Sequence, residues 1–150
     1  MIVCMRYAKN PEEAEEILQD GFMRVFTFIA QYKYGGSFEG WIRKIMVNCA
    51  LQKLRNQLCL KPLVLLNEEA DSYGHSNEII EQISGKEMLQ LVQSLSPAYR
   101  TVFNLYYFEG MKHREIARLL HIEEGTSKSN LAQAKRILQN AVTQHLKIAK

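Results

Sequence analysis

The sequence has few cysteines and lacks the patterns that mark disulfide frameworks and membrane spans. Its three cysteines, Cys4, Cys49 and Cys59, form no CxxC pair, which argues against a zinc ribbon and favours reduced thiols. No apolar run approaches the roughly 18 residues that a membrane span needs, and residues 1–10 lack the charged start and apolar stretch of a signal peptide. We therefore expect a soluble, cytoplasmic protein without membrane insertion.

Signatures of catalysis and of bound cofactors are also missing. The four histidines show no metal-ligand spacing, and the sequence contains no HExxH, Walker loop or nucleophile elbow. The eight glycines are scattered and form no group that would cradle a phosphate. We predict that the chain is not an enzyme, binds no metal and needs no cofactor.

Apolar residues instead recur at spacings of three and four, which predicts an all-α fold because no segment sustains the alternation of a strand. Asn10 and Pro11 predict the start of a long helix. Its apolar or small positions are Ala14, Ile17, Leu18, Gly21, Phe22, Val25, Phe26 and Ile29. Gly35 and Gly36 then predict a break, and Ser37 can cap a second helix with Trp41, Ile45 and Cys49 on its core face.

Charge and composition divide the chain into three parts. The net charge is +2 over residues 1–60, −4 over residues 61–96 and +5 over residues 97–150, which together give the +3 of the whole chain. The stretch from Asn67 to Asn77 is polar and rich in turn-forming residues. We predict two small helical domains, residues 1–58 and 78–150, joined by a linker over residues 59–77. Two basic ends suit two nucleic-acid-binding modules, although a solvated face is the simpler alternative.

The last third of the chain has the lengths and spacing of a helix-turn-helix. A short helix from Lys112 to Leu120 precedes a break at His121-Ile122, and a long helix follows from Glu123 to Val142. On the long helix a core stripe opposes a polar face, which we assign to Lys128, Ser129, Ala132, Gln133 and Arg136. Residues 125–150 contain five Lys or Arg and no acid, so this face favours DNA.

Several of these segments resemble extracytoplasmic-function sigma factors of the sigma-70 family. Leu95-Ser-Pro-Ala-Tyr-Arg-Thr-Val-Phe103, Phe108-Glu-Gly-Met111, Glu115-Ile-Ala117 and Glu124-Gly-Thr-Ser-Lys-Ser129 are similar to the family's fourth conserved region. Pro11 to Asp20, Gly36-Ser-Phe38 and Trp41-Ile-Arg-Lys-Ile45 with Asn48 resemble the second region. From this resemblance we expect the sequence to begin inside that region, without its first part. The resemblance implies a subunit that binds the clamp and flap of core RNA polymerase and directs it to promoter DNA. It also allows an anti-sigma factor as a partner.

The resemblance implies three sets of site residues. Contacts to the minus-thirty-five element are expected from Lys128, Ser129, Asn130, Gln133 and Arg136. Contacts to the minus-ten element are expected from Phe38, Lys44, Asn48 and Arg55, with Tyr32, Tyr34 and Phe38 around a glycine-bearing loop that cups an unstacked base. Polymerase contacts are expected from Glu15, Glu16, Gln19 and Asp20. For each set, a solvated face or a loop-anchoring aromatic is the simpler alternative.

The sequence departs from the family pattern at the helix-turn-helix. Lys112 stands where a capping Ser or Thr is common, which leaves Glu115 to accept the Lys112 backbone N–H. His121 stands where Gly is usual, and we expect it to adopt the left-handed conformation at some cost in stability. The other hypothesis for the chain is a stand-alone helix-turn-helix repressor or activator whose N-terminal helices dimerise or bind a ligand.

Overall fold

The computed structural model describes residues 1–33, 35–59 and 84–148, and every element in these ranges is helical. The helices are α1 (Ile2–Tyr7), α2 (Pro11–Phe28), α3 (Phe38–Cys59), α4 (Gly85–Ser94), α5 (Pro97–Tyr107), α6 (His113–Leu120) and α7 (Glu124–Ile148), with a 3-10 turn at Ile29–Gln31. The all-α prediction is therefore confirmed. The chain divides into two compact units, Met1–Leu65 and Leu66–Lys150. The predicted linker lies outside the described residues except for Cys59.

In the N-terminal unit, α1, α2 and α3 pack around one apolar cluster. The predicted start of α2 is confirmed, because the Asn10 side-chain oxygen accepts the Glu13 backbone N–H at 2.9 Å. Ser37 likewise accepts the Gly40 N–H at the start of α3, at 3.3 Å. Residues from all three helices and the α1–α2 turn form the buried cluster: Cys4, Ala8, Ala14, Ile17, Met46, Cys49 and Ala50.

Close packing between α2 and α3 depends on a glycine. A Cβ atom at Gly21 would collide with Sδ of Met46 and lie 2.9 Å from its Cε. Met46 is itself buried in the core cluster, so its side chain fills the space above Gly21. The glycine therefore lets α3 approach α2 closely at this point.

The C-terminal unit consists of α4 to α7. Ser84 and Glu87 form a capping box at α4, and Ser96 with Pro97 begins α5 as predicted. Leu95, Ala134 and Leu138 form a buried cluster, against which Leu91, Tyr99 and Phe103 pack. The buried Arg100 guanidinium donates to the Gln93 and Leu95 carbonyls at 2.6 and 2.8 Å, which joins α5 to the end of α4.

Both ends of α6 have the geometry that the sequence predicts. Glu115 accepts the Lys112 backbone N–H through Oε2 at 2.7 Å, whereas no side-chain oxygen of residue 112 is available to cap the helix. His121 adopts the left-handed conformation with φ 56° and ψ 46°, and the Ile122 N–H donates to the Ala117 carbonyl at 3.0 Å. This C-terminal turn leads α6 directly into α7.

Candidate nucleic-acid interface

The long helix α7 presents part of its predicted polar face to solvent. Lys128, Ser129, Ala132 and Arg136 are all exposed, and Lys135 extends the basic surface. The opposite side carries Leu131, Ala134, Leu138 and Val142, which are buried as predicted. A helix with one face packed on its own domain and short polar or basic groups on the other can enter a DNA major groove.

Two residues predicted to contact DNA do not lie on this exposed face. Gln133 is only 6% exposed and Asn130 only 9% exposed, so the sequence-based placement of Gln133 on the polar side of α7 is wrong. The reason is that α4, α5 and α6 all contact α7 and bury a wider arc of it than its apolar stripe indicates. Both amides therefore lie within the packed side of the helix-turn-helix.

An acidic residue shares the exposed face with the cations. Lys128 Nζ lies 2.8 Å from Glu124 Oε1, one turn earlier on α7. Hydrogen bonding and charge from Lys128 lower the pKa of Glu124 below its usual value. Because this pair is exposed, a phosphate can compete with Glu124 for the Lys128 ammonium.

His113 and Ser127, for which the sequence pattern predicts no role, lie beside this face. His113 Nδ1 is 3.0 Å from Ser127 Oγ, and the His113 ring stacks on Tyr106 with centroids 4.8 Å apart. Ser127 is completely buried. The pattern gives no signal for this contact, because the two residues are 14 positions apart and belong to different helices.

In the N-terminal unit, three aromatic rings cluster beside the loop between α2 and α3. The Tyr32 ring centroid lies 5.2 Å from that of Phe38 and 5.5 Å from that of Trp41, and Phe38 stacks on Trp41 at 5.9 Å. The Tyr32 hydroxyl donates to the Gly36 carbonyl and ties the loop to the cluster. Trp41 was expected on the core face of α3, but it is only half-buried and belongs to this surface cluster.

A cavity of about 410 Å³ opens beside this aromatic cluster. Its lining comes from the loop and the first turns of α3 and includes Tyr32, Trp41 and the Lys44 side chain. Tyr34, also predicted to flank the loop, lies outside the described residues. An aromatic wall with an ammonium nearby suits a planar base attached to a phosphate.

The α3 residues predicted to contact the minus-ten element lie only in part beside the cavity. Lys44 and Asn48 are exposed, and Phe38 at the start of the helix is 43% exposed. Arg55 is half-buried. Only Lys44 of these polar residues lines the cavity, so the structure groups Phe38 and Lys44 with the loop and leaves Asn48 and Arg55 farther along the helix.

The four α2 residues predicted to contact polymerase are exposed, as a partner surface requires. Glu15, Glu16, Gln19 and Asp20 all face solvent. Glu16 also forms an ion pair with Lys53 of α3, so one member of the set holds two helices of its own unit together.

Several apolar residues of α2 that the sequence assigned to its core stripe are exposed. Phe26 is 70% exposed, Phe22 41% and Ile29 49%. Met23, which was not assigned to that stripe, is 68% exposed. The buried apolar or small residues of α2 are Ala14, Ile17, Gly21 and Val25, and Leu18 packs against the core cluster. At 100° per residue, Phe22, Phe26 and Ile29 follow Glu15 and Gln19 along one side of the helix. This acidic and apolar stripe was missed by sequence analysis.

Other site classes find no support in the described ranges. Within residues 1–33, 35–59 and 84–148, no three His, Cys, Asp or Glu side chains lie where they could hold a metal ion. None of the helices in those ranges combines the length and apolar character needed to cross a bilayer. Cys4 and Cys49 are free and buried, and burial raises the pKa of both thiols.

Comparisons with known proteins match both units. The family description "Sigma-70 region 2" matches residues 2–58, and "Sigma-70, region 4" matches residues 85–138. The ECF RNA polymerase sigma factor SigE of Mycolicibacterium smegmatis is 28% identical over 148 residues, which cover 95% of this chain and 57% of that protein. SigW of Bacillus subtilis is 25% identical over 151 residues, 91% of this chain and 79% of the relative.

A solved structure shares the fold. The sigma factor RpoE of Bartonella quintana, crystallised with the anti-sigma factor NepR, aligns with a TM-score of 0.57 and 17% identity. The alignment covers 94% of this chain and 88% of that structure. With region 2 and region 4 matched in order on its two units, the chain belongs to the sigma-70 family, among the extracytoplasmic-function sigma factors.

Proposed function

We propose that this chain binds core RNA polymerase and directs it to promoters for transcription initiation. One observation carries the proposal: the residues that match region 2 and those that match region 4 lie in two separate compact units. Each unit has its own surface suited to nucleic acid. The chain supplies recognition in the cytoplasm, and polymerase supplies the chemistry.

In this proposal the C-terminal unit reads duplex DNA at the minus-thirty-five element. The exposed residues of α7 are the contacts: Lys128, Ser129 and Arg136, with Ala132 and Lys135 beside them. Long cations position the helix on phosphates, whereas base discrimination comes from side chains that reach base edges. Because Asn130 and Gln133 are buried, we assign them to packing and remove them from the reading face.

The N-terminal unit acts on the unpaired minus-ten strand. Tyr32, Phe38 and Trp41 provide aromatic faces beside a cavity large enough for a base, and Lys44 lies where a phosphate would follow. Stacking on such faces contributes about 1–3 kcal/mol per base, comparable with the cost of unstacking it from the duplex. Asn48 and Arg55 extend this path along α3.

Polymerase docks on the stripe of α2 in this proposal. Glu15 and Gln19 offer a carboxylate and an amide, and Phe22 and Phe26 offer apolar area next to them. Asp20 is also exposed, on a different side of α2. A complementary surface would be apolar with basic groups at one end. We also infer an anti-sigma factor as a partner, since the sigma factor RpoE of Bartonella quintana was crystallised with one.

A transcription assay tests the proposed function. Purified full-length chain is mixed with bacterial core polymerase and a promoter library, and new transcription start sites are scored by sequencing. We expect start sites that share upstream and downstream elements and that depend on adding the chain. An absence of chain-dependent start sites, with both units folded, would contradict the proposal.

Truncation of Phe26 tests the docking surface. Because Phe26 is largely exposed, Phe26→Ala should change the free energy of unfolding by less than about 0.5 kcal/mol. We expect polymerase affinity to fall roughly tenfold, as for a buried aromatic anchor of an interface. Ile2→Ala, which truncates an exposed apolar residue on α1 of the same unit, is the matched control. Equal affinities for the two variants would exclude this stripe.

A further inference from the structure

One contact at the start of the recognition helix joins three helices of the C-terminal unit. His113, the first residue of α6, places Nδ1 3.0 Å from Oγ of Ser127 in the first turns of α7. The same imidazole stacks on Tyr106 of α5, with 26° between the ring planes. The His113 side chain is thus held by α5 on its face and by α7 at its edge.

Because Ser127 is buried, its hydrogen bond to His113 constrains the position of α7. The residue has no exposed surface, and a buried hydroxyl left without a partner carries a desolvation penalty. An apolar contact at this position would tolerate sliding of α7 against α6. A hydrogen bond does not, because it weakens steeply outside a narrow range of distance and angle. The bond therefore restricts both the axial position and the rotation of the first turns of α7.

The two exposed residues that follow Ser127 are Lys128 and Ser129, at the DNA-facing end of α7. We propose that His113 is a positioning residue for the recognition helix, which sets the register of Lys128 and Ser129 against DNA through its hydrogen bond to Ser127. The inference rests on the proposed function of α7 as a reader of duplex DNA. It gives His113 a part in specificity without a base contact of its own.

The charges around His113 are compatible with a neutral ring. Burial lowers the pKa of His113, and the nearby Lys128 and Lys135 lower it further, whereas Glu124 opposes them. Arg114 is adjacent on α6, and Tyr106 covers the ring from α5. A serine hydroxyl both donates and accepts, so either neutral tautomer closes the bond.

The test separates the hydrogen bond from the aromatic ring. His113→Phe keeps an aromatic face toward Tyr106 but removes Nδ1, and Ser127→Ala removes the other partner. His113→Asn keeps a polar atom near the Nδ1 position, whereas His113→Gln places its amide farther out, near the position of Nε2. All variants are assayed as full-length chain with core polymerase on the promoter library, and their melting temperatures are measured.

We expect the ratio of transcription from preferred to mismatched upstream elements to fall roughly fivefold in His113→Phe and Ser127→Ala, the scale of one net hydrogen bond. His113→Asn should restore most of the ratio, and His113→Gln should not. A merely structural role would lower transcription from all promoters together and follow the melting temperature. If His113→Phe does not fold, the Ser127→Ala and His113→Asn pair carries the comparison.

Two failures are distinguishable. If the unsubstituted chain initiates no transcription, the proposed function fails and this inference fails with it. If the unsubstituted chain is active but the ratio is unchanged in folded His113→Phe and Ser127→Ala, only the positioning role is overturned. The positioning role is also overturned if the ratio falls as far in His113→Asn as in His113→Phe. In that case the aromatic ring would matter and the hydrogen bond would not.

Discussion

Single residues decide the geometry of the helix-turn-helix. His121 holds the turn in the left-handed region, where a Cβ atom crowds the following carbonyl. Lys112 begins α6 without a side-chain acceptor, and the Glu115 carboxylate accepts the Lys112 backbone N–H. His113 and Ser127 then align the next helix. The left-handed backbone at His121 and the missing side-chain cap at Lys112 each lower the local stability. Hydrogen bonds and packing within the unit offset these losses.

Replacement of His121 tests the cost of the left-handed turn. His121→Gly removes the Cβ atom at φ 56° and should raise the free energy of unfolding of the C-terminal unit by about 0.5–1 kcal/mol. His121→Ala retains the Cβ atom and serves as the control, with no gain expected. Thermal and urea unfolding followed by circular dichroism measure both. Equal stability of the two variants would show that backbone strain is not the cause.

Titration of His113 gives a pH dependence with a defined sign. Its pKa is lowered below the ordinary value of 6.5 by burial and by Lys128, so the folded state favours the neutral ring. Its contribution to stability is complete above pH 6.5 and is lost as the pH falls through the lowered pKa. In melting temperatures between about pH 7 and pH 5, His113→Asn should lose stability less steeply than the unsubstituted chain. Parallel curves would contradict this.

At the scale of elements, the width of the buried face of α2 and of α7 depends on how many helices pack against each. Among the described helices, α1 and α3 pack against α2, and its buried apolar or small residues are Ala14, Ile17, Gly21 and Val25. Its remaining aromatic residues stay exposed beside the acids. Three helices cover α7, and its buried side extends to Asn130 and Gln133. The same apolar spacing therefore leads to a narrower buried face on one helix and a wider one on the other.

A Cβ atom at Gly21 tests the close approach of α2 and α3. Gly21→Ala gains about 1 kcal/mol of helix propensity, but Met46 must move within a packed core, which typically costs about 1–3 kcal/mol. We expect a net loss of up to about 2 kcal/mol in the free energy of unfolding. Gly40→Ala is the matched control, since its Cβ would meet only Ser37 Cβ at 3.7 Å. That variant should gain stability; a gain in both would show that Met46 relocates freely.

At the scale of the whole molecule, the two units carry different surfaces. The N-terminal unit holds the aromatic cluster and the stripe on α2, and the C-terminal unit holds the cations of α7. In the proposed function, polymerase combines these surfaces by binding the chain and supplying the spacing between the two promoter elements.

We therefore expect the free chain to bind duplex promoter DNA weakly and with a strong dependence on salt. Fluorescence anisotropy should show a logarithmic salt slope of about −0.9 per phosphate contact. Replacement of both Lys128 and Arg136 with Ala should reduce the slope by roughly two, whereas Lys86→Ala, an exposed charge on α4, should leave it unchanged. Tight, sequence-specific binding by the chain alone would instead favour a stand-alone helix-turn-helix regulator.

Local chemistry let the sequence by itself determine the helices, their caps and the family of this protein. The residues that begin the helices act on backbone groups within three or four positions, and they are Asn10, Pro11, Ser37, Ser96 and Pro97. The left-handed conformation of His121 is likewise a local property of the turn. The all-α class follows from apolar spacing. The motifs around α5 to α7 are contiguous in sequence, so they resemble sigma factors without knowledge of the packing.

Only the tertiary structure decided which face of each helix is covered and which distant residues meet. Phe26 is exposed, Gln133 is buried and Trp41 joins a surface cluster because burial depends on the number and position of neighbouring helices. The apolar spacing within one helix does not show which neighbouring helices will cover it. The His113–Ser127 bond joins residues from two helices, and it exists because the turn at His121 brings the start of α7 against the start of α6.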